Sequence, residues 1–167
     1  PDDAQASVSY ALDNGYELID TANAYVNERA VGRGMRASSR TREEIFLETK
    51  LWPCFYESDT AVDETLKRLG TDYLDLYIIH RFDYDVPMEE TMEALNDLVR
   101  EGKVRALGAS AMYAYQLHNL QIVARDNGWE QFTSMQCHYN LLYREDEREM
   151  IPVCRQFDMA ITPYSPL

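Results

Sequence analysis

The stretch YELIDTANAY, residues 16–25, sets the frame for the whole chain. Leu18 and Ile19 form a short β-prone pair that runs directly into the carboxylate of Asp20, and a phenol, Tyr25, follows five positions later. Read locally, Asp20 or Thr21 caps a helix carrying Arg29 to Met35. The rest of the chain supplies a different reading. The run EIFLETK ends on Lys50, YLDLYIIH ends on His80, and VRALGAS ends on Ser110, so the four polar ends are thirty residues apart each time. Two more runs follow, FTSMQCHYN with Gln136 and MAITPYSPL with Tyr164.

Helical signals fill the gaps. SDTAVDETLKRLG puts Ala61, Val62, Thr65, Leu66 and Leu69 on one side and ends at Gly70, where a C-terminal glycine belongs. PMEETMEALNDLVREG spaces Met88, Met92, Leu95 and Val99 helically between Pro87 and Gly102. YQLHNLQIVARDNG stops at Gly128, and REMIPVCRQF is a shorter candidate in which Pro152 is tolerable only near the first turn. A strand–helix alternation with this period is the βα unit of a parallel sheet. Right-handed crossovers bring every carboxyl strand end to one face, where a (β/α)8 TIM barrel builds its active site. The rival, an open doubly wound sheet, announces itself with a glycine-rich phosphate turn after the first strand. DTANAYVNE contains no glycine, and no G-x-G-x-x-G occurs. The expected fold is therefore α/β, a parallel (β/α)8 barrel forming one domain over residues 1–167, of which six βα units are visible. One unit is expected before Pro1 and one after Leu167. A barrel so cut leaves two strand edges unpaired, and residues 1–167 by themselves are expected to associate and to lack activity.

Composition narrows the function. The 167 residues are 46% hydrophobic and 27% charged, within the globular range. A net charge of −13 argues against nucleic acid and against anionic membrane surfaces as partners. No apolar stretch approaches membrane-spanning length. Cys54, Cys137 and Cys154 lack C-x-x-C spacing, which suggests reduced, passive thiols in a cytoplasmic setting. No metal is expected.

Asp20, Tyr25, Lys50 and His80 form a chemically coherent set. A phenol titrates near pH 10, and a neighbouring ammonium is expected to lower that value. A carboxylate keeps the ammonium charged and aimed, and an imidazole can hydrogen-bond a substrate oxygen. Together they would protonate a carbonyl oxygen while hydride reaches its carbon. Plainer readings exist: a surface lysine, a satisfied core histidine, a loop-capping Gln136, a packing Tyr164. The thirty-residue period weighs against them.

With these residues in view, the chain resembles the aldo-keto reductase family. GYELIDTANAY, TKLW, LGTDYLDLYIIH, GAS, MQCHYN and PYSPL match its motifs in order across essentially the whole chain. The resemblance implies a tetrad of Asp20, Tyr25, Lys50 and His80, with Tyr25 as proton donor. It implies NADPH as cofactor, with NADH not excluded, and a small-molecule carbonyl substrate. Asp20, Thr21, Ser110, Gln136, Tyr164, Ser165 and Leu167 would meet the cofactor: Ser110 and Gln136 at the nicotinamide carboxamide, Tyr164 stacked on the ring, Ser165 and Leu167 near the pyrophosphate. Trp52, Pro53 and Tyr56 would wall the substrate pocket. The first third looks like the diketogluconate-type reductases, and the part from HRFDYD onward like a microbial subfamily related to potassium-channel β subunits. That relation leaves a cofactor-sensing binding protein with vestigial chemistry as the alternative to an enzyme, and an inactive truncated barrel as a third reading. Two departures stand out. Val26 replaces the family's usual glycine, and a β-branched residue is expected to resist φ > 0, altering this loop. Ala111 follows Ser110 where many members have asparagine. Substrate and oligomeric state stay open.

Overall fold

The computed structural model describes residues 2–52 and 60–167. Six strands alternate with helices, and strand order along the sheet follows chain order, β1 to β6. This is the repeating arrangement of a (β/α)8 barrel. The chain divides into two compact units, residues 1–77 with 103–105, and residues 78–102 with 106–167.

The first unit contains α1 (Asp2–Asp13), β1 (Leu18–Asp20), a 3-10 turn (Asn23–Tyr25), α2 (Glu28–Ala37), β2 (Phe46–Leu51), α3 (Ala61–Leu69) and the start of β3 (Leu76–Ile79). Strands β1 and β2 are parallel, with Leu18 opposite Phe46, Ile19 opposite Leu47 and Asp20 opposite Glu48. The α2 helix begins at Glu28 with Asn27 as its N-cap, so neither Asp20 nor Thr21 caps it. The two residues lie too far upstream, and the Asn23–Tyr25 turn intervenes. Two glycines let α2 lie close to its neighbours. A Cβ on Gly32 would meet the Leu69 carbonyl oxygen of α3 at 2.0 Å, and one on Gly34 would meet Gln5 and Val8 of α1 at 2.7 Å. On α3, Val62, Thr65, Leu66 and Leu69 are buried as their spacing predicts, and Gly70 ends the helix at φ 72°. Asp75, which interrupts the apolar run just before β3, is 8% exposed. It is held by Arg42 at 2.9 Å, Arg105 at 3.0 Å and the Leu47 amide at 3.0 Å. Both guanidinium groups also sit 3.9 Å from the Tyr73 ring centre. Burial of this carboxylate is tolerable because two cations and an amide replace its water.

The second unit contains the end of β3, α4 (Met88–Arg100), β4 (Leu107–Ser110), α5 (Ala114–Asn127), β5 (Phe132–Gln136), α6 (Met150–Gln156) and β6 (Ala160–Ile161). The β4–β5 pair is parallel with Ser110 opposite Gln136, and the β5–β6 pair is parallel with Met135 opposite Ile161. Met92 and Leu95 of α4 are buried, whereas Met88 and Val99 are half-buried. The buried side chain of Gln121 ties α5 to β5, accepting from the Phe132 amide at 2.8 Å and donating to its carbonyl at 3.0 Å. Pro152 is the third residue of α6, inside the first turn, where its missing N–H costs no helical bond.

Candidate active site

Parallel pairing explains the grouping in the first unit. Asp20 lies opposite Glu48, and Lys50 comes two residues later on β2, so Asp20, Glu48 and Lys50 share one face of the strand pair. The Lys50 side chain is 2% exposed. Its ammonium makes a close ion pair with Asp20 and donates to the Thr21 carbonyl at 2.9 Å. A buried ammonium survives only with such partners. Lys50 Nζ is also 5.6 Å from the centre of the Tyr25 ring. Tyr25 ends the 3-10 turn after β1 and is 53% exposed. Burial raises the Tyr25 phenol above its ordinary range, and the Asp20 carboxylate pushes it the same way. This is opposite to the lowering expected from the sequence. Lys50 directs its charge at Asp20 and Thr21, and the carboxylate offsets what the phenol would otherwise gain.

The Thr21 hydroxyl is committed as well, donating to Asn27 Oδ1 at 2.7 Å. That bond ties the end of β1 to the start of α2 and encloses the Tyr25 loop. Val26 within this loop takes φ 55° and is 93% exposed, against the expectation that a β-branched residue would avoid the left-handed region. The turn geometry is kept at the expense of backbone strain. Val26→Gly is therefore expected to stabilise the protein by about 1 kcal/mol, less the entropy that glycine brings to the unfolded chain. A urea denaturation midpoint unchanged or lowered in this variant would contradict that account.

Sequence reasoning missed Glu28. It is 2% exposed, accepts from Thr49 at 2.9 Å and pairs with Arg68 at 2.6 Å. It thereby clamps the residue before Lys50 to α2 and α3. No pattern in the sequence marks it, because its partners lie 21 and 40 residues away.

In the second unit, His80 follows β3 and is half-buried. Ser110 is 3% exposed and donates to the Gln136 carbonyl at 2.9 Å, and Gln136 is 8% exposed. Tyr164 follows β6 with its ring 43% exposed and stacked on His138 at 5.2 Å. Ser165 and Leu167 are exposed. A cavity of about 350 Å³ lies over the carboxyl ends of β3 to β6, bordered by Arg81, Ala111, Met112, Cys137, His138 and Tyr164 among others. An open aromatic face beside a cavity and adjacent buried polar side chains suit a flat heteroaromatic group with an amide. The residues present therefore fit a nicotinamide nucleotide. Ala111 takes φ 45°, a conformation in which asparagine is favoured among non-glycine residues. Cys137 and Cys154 are buried, and burial pushes their thiols up to about 12 and about 11, which makes them poor nucleophiles. Trp52 follows β2 and is 36% exposed, while Pro53, Cys54 and Tyr56 lie outside the described residues. Among the described residues no group of three His, Cys, Asp or Glu could hold a metal ion, and no helix is long and apolar enough to cross a membrane.

The model of the aldo/keto reductase family matches residues 1–167, and the chain belongs to that family. An aldo-keto reductase of Fusarium vanettenii is 38% identical over 99% of this chain, which corresponds to 55% of its own length. The crystal structure of an aldo/keto reductase from Brucella melitensis is 38% identical with a TM-score of 0.87, covering 99% of this chain and 64% of that one. A Bombyx mori aldo-keto reductase, solved in complex with NADP, is 31% identical with a TM-score of 0.85 over 98% of this chain and 56% of that one. The chain thus spans a little over half the length of the Fusarium relative. These likenesses bear out the parallel (β/α)8 fold, of which six βα units are present here.

Proposed function

We propose that the protein carrying this chain reduces small aldehydes or ketones to alcohols with NADPH, Tyr25 giving the proton. The observation that carries this reading is the buried Lys50 ammonium, paired with Asp20 and 5.6 Å from the ring centre of an exposed Tyr25. NADPH would supply hydride to the carbonyl carbon. Ser110 and Gln136 would hold its carboxamide and Tyr164 its ring, with Ser165 and Leu167 toward the pyrophosphate. As the oxygen gains charge, the Tyr25 hydroxyl donates to it. An alkoxide is far more basic than a phenolate, so this transfer runs downhill even from a phenol with a raised pKa. Lys50 then stabilises the phenolate left behind, and its ion pair with Asp20 holds it in place. His80 orients the carbonyl oxygen, and Trp52 borders the substrate. We take the active protein to be a single barrel domain extending beyond both ends of residues 1–167.

The direction of the Tyr25 shift gives a pH test. Reduction needs the protonated phenol, and a raised pKa keeps it protonated below about pH 10, the ordinary phenol value. Steady-state NADPH oxidation with a panel of aldehydes should show multiple turnovers and no loss of kcat/KM from the acid group between about pH 6 and 9. A single stoichiometric turnover would instead favour a cofactor-sensing role. A falling limb centred below pH 9 would mean that Lys50 outweighs burial at the phenol.

A further inference from the structure

The turn after β5 holds an amide whose hydrogen-bonding capacity is fully committed. Asn140 Oδ1 accepts from the Leu142 amide at 2.9 Å and the Tyr143 amide at 2.8 Å, which settles which end of the side chain is oxygen. Both hydrogens on Nδ2 are therefore donors. One goes to the Ser165 carbonyl at 2.9 Å, the other to His138 Nε2 at 3.3 Å. His138 Nε2 serves as the acceptor of that second bond. The same imidazole stacks with Tyr143 at 4.3 Å and with Tyr164 at 5.2 Å, the latter pair only 7° from parallel. Ser165 takes φ 51°, a left-handed conformation unusual for a residue with a side chain, and its carbonyl is the one Asn140 holds. One amide thus links the Tyr164 ring, through His138, and the strained Ser165, two of the three residues after β6 proposed to meet the coenzyme.

We propose that Asn140, acting through His138 and Ser165, is a positioning residue for the coenzyme: it presets the Tyr164 ring and the Ser165 backbone so that the nucleotide meets an ordered surface. This rests on the proposed binding of NADPH. Pre-ordering lowers the cost of binding, so its loss should appear chiefly in the dissociation constant. The amide cannot turn over, because two backbone amides hold its oxygen.

The test is NADPH fluorescence titration on the full-length protein. Asn140→Asp keeps the size and the oxygen that serves the turn but removes both donors. Its Kd for NADPH should rise about tenfold, the effect of two lost hydrogen bonds. The KM for the aldehyde at saturating NADPH should stay within about twofold, which a general loosening of the fold would not respect. His138→Phe keeps a stacking ring and removes Nε2. It deletes one of the two bonds Asn140 donates, so its Kd should rise by about threefold. A Kd for Asn140→Asp within twofold of wild type would overturn the inference while leaving the coenzyme reading intact. Wild-type protein that does not bind NADPH would overturn both.

Discussion

Tyr25→Phe, which removes one oxygen atom, is expected to lower carbonyl reduction by at least the roughly 10²–10⁴-fold that a positioned general acid supplies. The variant should fold and bind NADPH as the wild type does. The ring is retained, and the turn it ends is held by backbone bonds, Tyr25 N to Ala22 O at 3.0 Å and Val26 N to Asn23 O at 3.2 Å. Single-turnover measurements with preformed NADPH complex would isolate the chemical step from binding. Reduction within tenfold of wild type would remove Tyr25 from the role of acid.

The second large effect is expected at Lys50. Lys50→Met keeps most of the stem and deletes the charge. It leaves the Asp20 carboxylate without its partner and removes a bond to the Thr21 carbonyl. With Asp20 no longer neutralised, the phenol is pushed still higher and the phenolate formed in the reaction loses its counter-ion. The rate of reduction should fall by about 10²–10³-fold, as when a preorganised electrostatic group is deleted. The dissociation constant for NADPH should change little. A variant that keeps its rate but binds NADPH poorly would make Lys50 a coenzyme ligand rather than an electrostatic one.

Much of the fold is legible in the amino-acid sequence itself. The ends of four β-prone runs fall at 20, 50, 80 and 110, and that period reflects how much chain one strand, one helix and two turns require. Gly70 and Gly128 mark helix ends because left-handed C-caps favour residues without a Cβ. What sequence does not yield is the third partner in each contact. Asp75 reads as an interruption of an apolar run, since Arg42 and Arg105 reach it from distant positions. Glu28 reads as an ordinary helix-start acid, since Arg68 and Thr49 meet it only after α2, α3 and β2 have packed. The phenol shift runs against the sequence-based expectation for the same reason. Proximity of Lys50 to Tyr25 is foreseeable, but the division of its charge between Asp20 and Thr21 is a matter of three-dimensional geometry. At Val26, local preference favours one backbone conformation and the enclosing turn imposes another.

The most direct test of the account is isotopic. The full-length protein would be given NADPH carrying deuterium at the transferring position of the nicotinamide C4, with an aromatic aldehyde, and the product alcohol analysed by mass spectrometry and NMR. The account predicts one deuterium on the carbinol carbon of each alcohol formed, catalytically in enzyme, and at least about 100-fold less labelled alcohol when Tyr25→Phe replaces the wild type over the same time. Alcohol formed without deuterium at that carbon, or no alcohol at all from a protein that binds NADPH, would contradict it.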